Sequence, residues 1–189
     1  MSLRLSGGRR LLSPPGQQAR PTPSRVRLAV MNLLATRLKG ATWLDLFSGS
    51  GVMACEALHH GAIRVVAVER DRRNAAVVRA NLEAVAAGLE APEFRVQTMD
   101  VLSWLRAGRQ TRSEEPFDLI YADPPYAAGL QGPVAEAVAR GGWLRPEGRL
   151  LLECATAAMP GIPDGWELID QRRYGTTTVL ILSPGAGLR

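Results

Sequence analysis

The chain has 189 residues, 46% of them hydrophobic and 22% charged, the composition of an ordinary globular domain long enough to bury a core without staples. Its two cysteines, Cys55 and Cys154, lie far apart with no CxxC or Cys/His cluster near either, which excludes a disulfide scaffold and a zinc site of ordinary spacing. The formal charge of +5 is uneven: residues 1–40 hold eight basic side chains and no acid, while the remaining 149 residues carry 15 basic and 18 acidic groups.

That basic amino-terminal stretch has Arg4, Arg9, Arg10, Arg20, Arg25, Arg27, Arg37 and Lys39, and the first carboxylate is Asp45. A solvated tail has this composition, and so does a surface that meets a phosphate backbone. The arginines in MSLRLSGGRR interrupt the apolar stretch that a signal peptide needs, and no apolar run approaches the roughly 18–20 residues of a membrane span. A cytoplasmic, non-membrane protein is expected.

In chain order, residues 6–24 are rich in Gly, Pro, Ser and Gln and read as irregular, with a short hairpin around Gly7-Gly8. Ser24 is placed to cap a helix to about Leu38, with Val26, Val30, Leu33 and Leu34 on one face and Gly40 ending it. Strands and helices then alternate. TWLDLF (42–47) reads as a strand, Val52 to His60 as a helix, RVVAVE (64–69) as a strand, and Arg72 to about Ala87 as a helix. FRVQ (94–97) is a short strand, followed by a brief helix after Asp100. FDLIYAD (117–123) is a strand, Leu130 to Arg140 a helix, and RLLLECA (149–155) a strand. WELIDQRRY (166–174) and TTTVLIL (176–182), joined at Gly175, read as an antiparallel pair. Continuous apolar strands alternating with helices predict an α/β fold with a mostly parallel, doubly wound sheet. Ligands bind such sheets at the carboxyl ends of the strands.

The first strand ends in Asp45-Leu46-Phe47-Ser48-Gly49-Ser50-Gly51. Glycines at a helix start let the backbone turn tightly and approach a ligand closely. Alone, the loop suits NAD or S-adenosylmethionine, and Gly49 to Ala54 also satisfies GxGxxA. Asp45 favours the second ligand, because a carboxylate suits a sulfonium and repels a pyrophosphate. Glu69, Asp100 and Asp123 stand at matching places on the next strands. A carboxylate at a strand end also serves as a helix cap, but four around one rim point to a site. In that layout Glu69 accepts from both ribose hydroxyls and Asp100 from the adenine amino group.

The most informative run is Asp123-Pro124-Pro125-Tyr126. Prolines after a buried strand stiffen the backbone, so the Asp123 carboxylate and the Pro124 carbonyl become two acceptors at fixed separation. They match the two hydrogens of an exocyclic amine, and Tyr126 offers a face for a planar base.

These residues resemble the class I S-adenosylmethionine-dependent methyltransferases with a (D/N)PP(Y/F/W) motif. More narrowly, the chain resembles the 16S ribosomal RNA guanine-N2 methyltransferase family, which acts on the guanine conventionally numbered 966. The likeness includes Arg20-Pro21-Thr22, Arg25-Val26-Arg27, Asn32, the loop from Leu44 to Gly51, Glu69-Arg70-Asp71-Arg72, Asn81-Leu82, DPPY, Trp143-Leu144 and Tyr174-Gly175. Leu28 stands where relatives usually carry Glu, Met31 where they carry Phe, and the basic hairpin is shorter.

The resemblance implies a Rossmann-like sheet of seven strands with a carboxy-terminal antiparallel pair. It implies a basic arm over 1–23 and a methyltransferase domain over 24–189. It implies S-adenosylmethionine held by Asp45, Phe47, Ser48, Gly49, Gly51, Glu69, Arg70, Asp100, Val101 and Asp123, with Asp123, Pro124 and Tyr126 catalytic and no metal. Arg9, Arg10, Arg20, Thr22 and Arg25 are the expected RNA-binding residues, on 16S rRNA or the 30S subunit, by a monomer.

Other readings stay open. An N6-adenine or other nucleic-acid amino-methyltransferase shares DPPY, but a DNA enzyme normally needs a target-recognition domain for which no segment is long enough. A protein-glutamine methyltransferase usually has Asn in place of Asp123. An NAD-dependent oxidoreductase leaves DPPY unexplained, and a non-catalytic RNA-binding module has no use for four rim acids.

Overall fold

The structure, a computed structural model, describes residues 3–14, 23–125 and 129–186. The chain divides into two compact units, Met1–Met99 and Asp100–Arg189.

In the first unit, residues 3–11 form a small hairpin around Gly7-Gly8. Leu5 donates to the Arg9 carbonyl, Leu11 donates to Leu3, and Arg4 pairs antiparallel with Arg10. Leu5 and Leu11 are buried, so the hairpin packs down as part of the core. Two helices follow, α1 (Ser24–Leu33) and α2 (Ala35–Leu38), where the sequence suggested one. The break is at Leu34, which caps both; its side chain is buried, and the chain turns there to keep it in the core. Two details of that segment need correcting. Ser24 does not cap α1: Pro23 occupies the cap, and its carbonyl receives the Val26 and Arg27 amides. Leu33, expected on the apolar face, is 36% exposed, while Arg27 is buried in that face.

The rest of the unit is β1 (Thr42–Leu46), α3 (Val52–His59), β2 (Arg64–Glu69), α4 (Arg72–Ala86) and β3 (Glu93–Thr98). β1 pairs parallel with β2, and β2 with β3, giving the order β3-β2-β1. Both crossovers step in the same direction, and their right-handedness puts α3 and α4 on one face. β1 is wholly buried and β2 nearly so, as continuous apolar runs require. β3, at the end of the order, is exposed at half of its positions and carries charges. Asp71 caps α4 through its carboxylate, which accepts from the Arg73 and Asn74 amides at 2.9 Å.

The second unit holds α5 (Val101–Arg106), β4 (Phe117–Ala122), α6 (Gln131–Arg140), β5 (Leu144–Ala155), β6 (Trp166–Tyr174) and β7 (Thr177–Pro184). β4 and β5 are parallel, and β7 lies antiparallel between β5 and β6. The β6–β7 turn uses Gly175 at φ 68°, a conformation that favours glycine. Trp104 and Trp143 stack at 4.2 Å in this core, and the Trp143 indole donates to the Leu105 carbonyl. β5 starts five residues before the expected Arg149, because the Pro146–Gly148 segment is absorbed as an irregular start. The class is therefore α/β with seven mostly parallel strands and a closing antiparallel pair, as expected.

Candidate active site

In the first unit the glycine loop is built by conformation. Phe47, Gly49 and Gly51 take positive φ of 61°, 58° and 74°, so β1 ends at Leu46, one residue before the expected Phe47. Ser48 extends the β1–β2 pairing by donating to the Val68 carbonyl at 3.1 Å, and Gly51 closes a turn onto Ser48. Gly51 is required twice, because a Cβ there would also sit 2.8 Å from Val78 of α4. The loop is consequently held against α4 and opens α3 at Val52.

Two carboxylates flank it. Glu69 ends β2 and is only 7% exposed. Its Oε2 accepts from the Gly49 amide and its Oε1 from the Asp71 amide, each at 2.8 Å. Each oxygen has two lone pairs, so the carboxylate is locked in place with one acceptor site left on each. That geometry suits a ligand with two adjacent hydroxyls.

Asp45 is 2% exposed. Burial pushes its carboxyl up to about 7, and the Glu69 charge adds to this. The Ser48 hydroxyl, donating to Oδ2 at 2.5 Å, and the Ala54 amide pull in the opposite direction. A buried carboxyl poised in this way gains most from a cationic ligand. The loop, Glu69 and Asp45 thus form a cradle of backbone and carboxylates that fits a sulfonium-bearing nucleoside. Arg70 points outward and is exposed.

In the second unit, Asp100 is exposed and caps α5, its Oδ1 accepting from Ser103 at 2.9 Å. Val101 is buried beneath it. β4 delivers Asp123, half-buried, then Pro124, buried, and Pro125, exposed. Tyr126 lies outside the described residues. Behind this motif, the Tyr121 hydroxyl on β4 donates to the buried Glu153 carboxylate on β5, anchoring the strand end that carries Asp123. The sequence gives no prominence to Glu153, although an acid inside the apolar run RLLLECA signals a buried partner.

The amino-terminal arginines do not form one class. Arg27 is buried, and its Nε donates to Glu56 on α3 at 3.1 Å while Nη2 donates to the Arg4 carbonyl at 2.6 Å. Glu56 is fully buried and also accepts from the Ser6 amide and hydroxyl at 2.9 and 2.7 Å. Arg27 is therefore a structural cation. Arg9 reaches the Ala84 carbonyl near the carboxyl end of α4, where a cation is favoured. Arg9, Arg10 and Arg25 are exposed; Arg20 and Thr22 lie outside the described residues. Sequence reading did not find the Glu56–Arg27–Ser6 cluster, whose signal is a lone acid in the apolar helix VMACEALH.

Both cysteines are buried thiols. Burial raises Cys55, and Cys154 is pushed up to about 11, with the Glu153 charge adding. Neither is a nucleophile at neutral pH. Among the described residues no group of three or more His, Cys, Asp or Glu is placed to hold a metal ion. None of their helices is long and apolar enough to cross a membrane.

Comparison with known proteins extends this picture. Residues 5–183 match the family model described as conserved hypothetical protein 95. Ribosomal RNA small subunit methyltransferase D of Escherichia coli strain K12 is 31% identical over 169 residues, covering 89% of this chain and 81% of that protein. A solved Escherichia coli structure, yhhF, described as a candidate methyltransferase, superposes with a TM-score of 0.81 at 29% identity. It covers 98% of this chain and 99% of that one. A more distant candidate methyltransferase, crystallised with SAH, is alike in fold at a TM-score of 0.64 and 20% identity, over 82% of this chain and 48% of that one. The chain belongs to the conserved hypothetical protein 95 family, alongside ribosomal RNA small subunit methyltransferase D.

Proposed function

We propose that the protein transfers a methyl group from S-adenosylmethionine to the exocyclic N2 amine of a guanine in 16S rRNA, the base conventionally numbered 966. Two features, each within its own unit, carry this reading. One is the Glu69-locked glycine loop with buried Asp45 in the first unit; the other is Asp123-Pro124 at the end of β4 in the second. The relative named ribosomal RNA small subunit methyltransferase D supports the substrate class, and the SAH-bound neighbour supports the cofactor.

When bound, S-adenosylmethionine supplies an electrophilic methyl on a positively charged sulfur. The chain's own residues do the rest. Glu69 offers its two remaining acceptor sites to the ribose, and Asp45 offers its charge to the cationic end. Asp100 and Val101 line the adenine side. The guanine N2 lone pair is delocalised into the ring and must be turned toward the methyl. Asp123 and the Pro124 carbonyl accept the two N–H groups, orient the lone pair and stabilise positive charge as it develops on nitrogen. The extra proton then leaves that nitrogen for Asp123 or water. Tyr126 stacks on the base, compensating for the stacking lost when it is turned out. Residues 1–23 form the basic arm, and Arg9, Arg10, Arg20, Thr22 and Arg25 meet the phosphates. The protein works in the cytoplasm as a monomer, on rRNA or the 30S subunit.

The test is methyl transfer in vitro. Purified protein, labelled S-adenosylmethionine and unmodified 16S rRNA or 30S particles should yield N2-methylguanosine on nucleoside digestion. N6-methyladenosine as the product would favour the adenine reading, and no transfer to either substrate would reject both.

A further inference from the structure

Asn81 is a polar residue in the wrong place for a surface helix. It lies among Ala75, Val78, Leu82 and Val85 on the core face of α4 and is 2% exposed. A buried amide costs free energy unless its hydrogen bonds are made. Here they are made to two segments distant in sequence. Oδ1 accepts from the Leu12 amide at 2.8 Å, while Nδ2 donates to the Leu12 carbonyl and to the Ser50 carbonyl, each at 3.0 Å. Both amide hydrogens are used, and only one orientation works: a flip would set N–H against N–H and oxygen against two carbonyls.

Leu12 directly follows the basic hairpin, and Ser50 is the middle of the Gly49-Ser50-Gly51 turn. One helical turn before Asn81, Val78 is the residue that a Cβ on Gly51 would strike. α4 therefore touches the glycine loop at two adjacent points, and one of these also holds the arm. Arg9 adds a further tie to the same helix through Ala84.

The geometry points to Asn81 as a positioning residue that couples the basic arm to the cofactor loop. Cofactor held at the loop fixes Ser50; Asn81 passes that order to Leu12 and so to the hairpin. RNA on the arm tightens cofactor binding by the same factor, because coupling between two sites is reciprocal. The inference rests on the cofactor and RNA reading proposed above and goes beyond it by joining the two sites through one side chain.

Two variants of the full chain test it. Leu12→Pro removes the Leu12 N–H at an exposed position without changing Asn81 or Ser50, while its ring also fixes φ there and restricts Leu11. Asn81→Leu removes the whole junction. Hydrogen exchange at the Leu5 and Leu11 amides is followed with and without S-adenosylhomocysteine, whose affinity is measured in parallel. In the wild type the ligand should slow exchange at these amides by about 5-fold or more. In Leu12→Pro that response should fall to within about 2-fold while affinity for the ligand alone stays nearly unchanged. Asn81→Leu should lose the response and also bind more weakly; if it does not fold, Leu12→Pro decides. A full response in Leu12→Pro overturns the coupling, and so does a wild-type arm that ignores a ligand it binds. Lower thermal stability with an unaltered response would mark Asn81 as merely structural, and also overturns it. A wild type that binds no S-adenosylhomocysteine at all would bring down the cofactor reading itself, and the coupling with it.

Discussion

The candidate-site acids of the two units sit in different surroundings. In the first, Asp45 and Glu69 are buried and already engaged by backbone amides or a hydroxyl. In the second, Asp100 is exposed and Asp123 half-buried at the mouth of a stiff Pro-Pro turn. Buried, pre-bonded acceptors suit a small ligand of constant shape, because no reorganisation is needed when it arrives. A more open acceptor suits a large substrate that must deliver one base. Under the proposed function the buried pair takes the ribose and the cationic end of the cofactor and Asp123 takes the acceptor amine, and each role can be broken separately.

The largest effect is expected at Asp123. Asp123→Ala should lower the methylation rate by at least about 10²-fold, the usual cost of losing one preorganised transition-state partner. Cofactor affinity should change little. A variant within a few-fold of wild type in rate would detach Asp123 from the amine.

Glu69 should show the converse. Glu69→Ala removes the ribose acceptors and releases the Gly49 and Asp71 amides, so affinity for S-adenosylmethionine should fall by about 1.5–3 kcal/mol, the worth of bonds to a charged group. Calorimetric titration measures this directly, and unchanged affinity would take Glu69 out of the site.

Asp45 gives a pH signature. Its carboxyl is raised from 3.8 to about 7 in the folded protein, so between those values the folded state holds a proton that the unfolded chain has lost. Its contribution to stability therefore declines as pH rises from about 4 to 7 and levels off above. Cofactor affinity should run the other way, rising through pH 7 as the carboxylate forms to meet the sulfonium. Asp45→Asn should flatten both trends. A wild-type affinity independent of pH between 5.5 and 8 would count against the cationic partner.

The smallest effect concerns the arm. Neutralising Arg10 and Arg25 should weaken rRNA binding and lower the slope of log affinity against log salt by roughly 0.7–0.9 for each phosphate no longer neutralised. Adding Arg9→Gln should also loosen the hairpin, through Ala84. Arg27 does not belong in this set: Arg27→Gln should destabilise the fold, because it leaves Glu56 buried with its cation gone. An unchanged salt slope would make the arm an ordinary surface feature.

Much of this was legible in the residues. Apolar runs fixed the strands, the Gly49 and Gly51 spacing placed the loop, and Gly7-Gly8 marked the hairpin turn. What escaped was long-range. Ser6 meets Glu56 across 50 positions, Leu12 meets Asn81 across 69, and Arg9 meets Ala84 across 75. No periodicity encodes such pairs; the first two leave a single polar residue inside an apolar stripe, at Glu56 and Asn81, and Glu153 is a similar trace of its bond to Tyr121. The break at Leu34 escaped for a related reason, since local helix pattern continues through it and only core packing turns the chain.

The most direct test of the central claim is mass mapping of methylated nucleotides in 16S rRNA from a strain lacking this gene, complemented with wild-type or Asp123→Ala protein. If Asp123 directs methylation of this base, one N2-methylguanosine, at the position conventionally numbered 966, is absent in the deletion, returns with wild type and stays absent with Asp123→Ala. The same modification in all three, or its return with the variant, would contradict it.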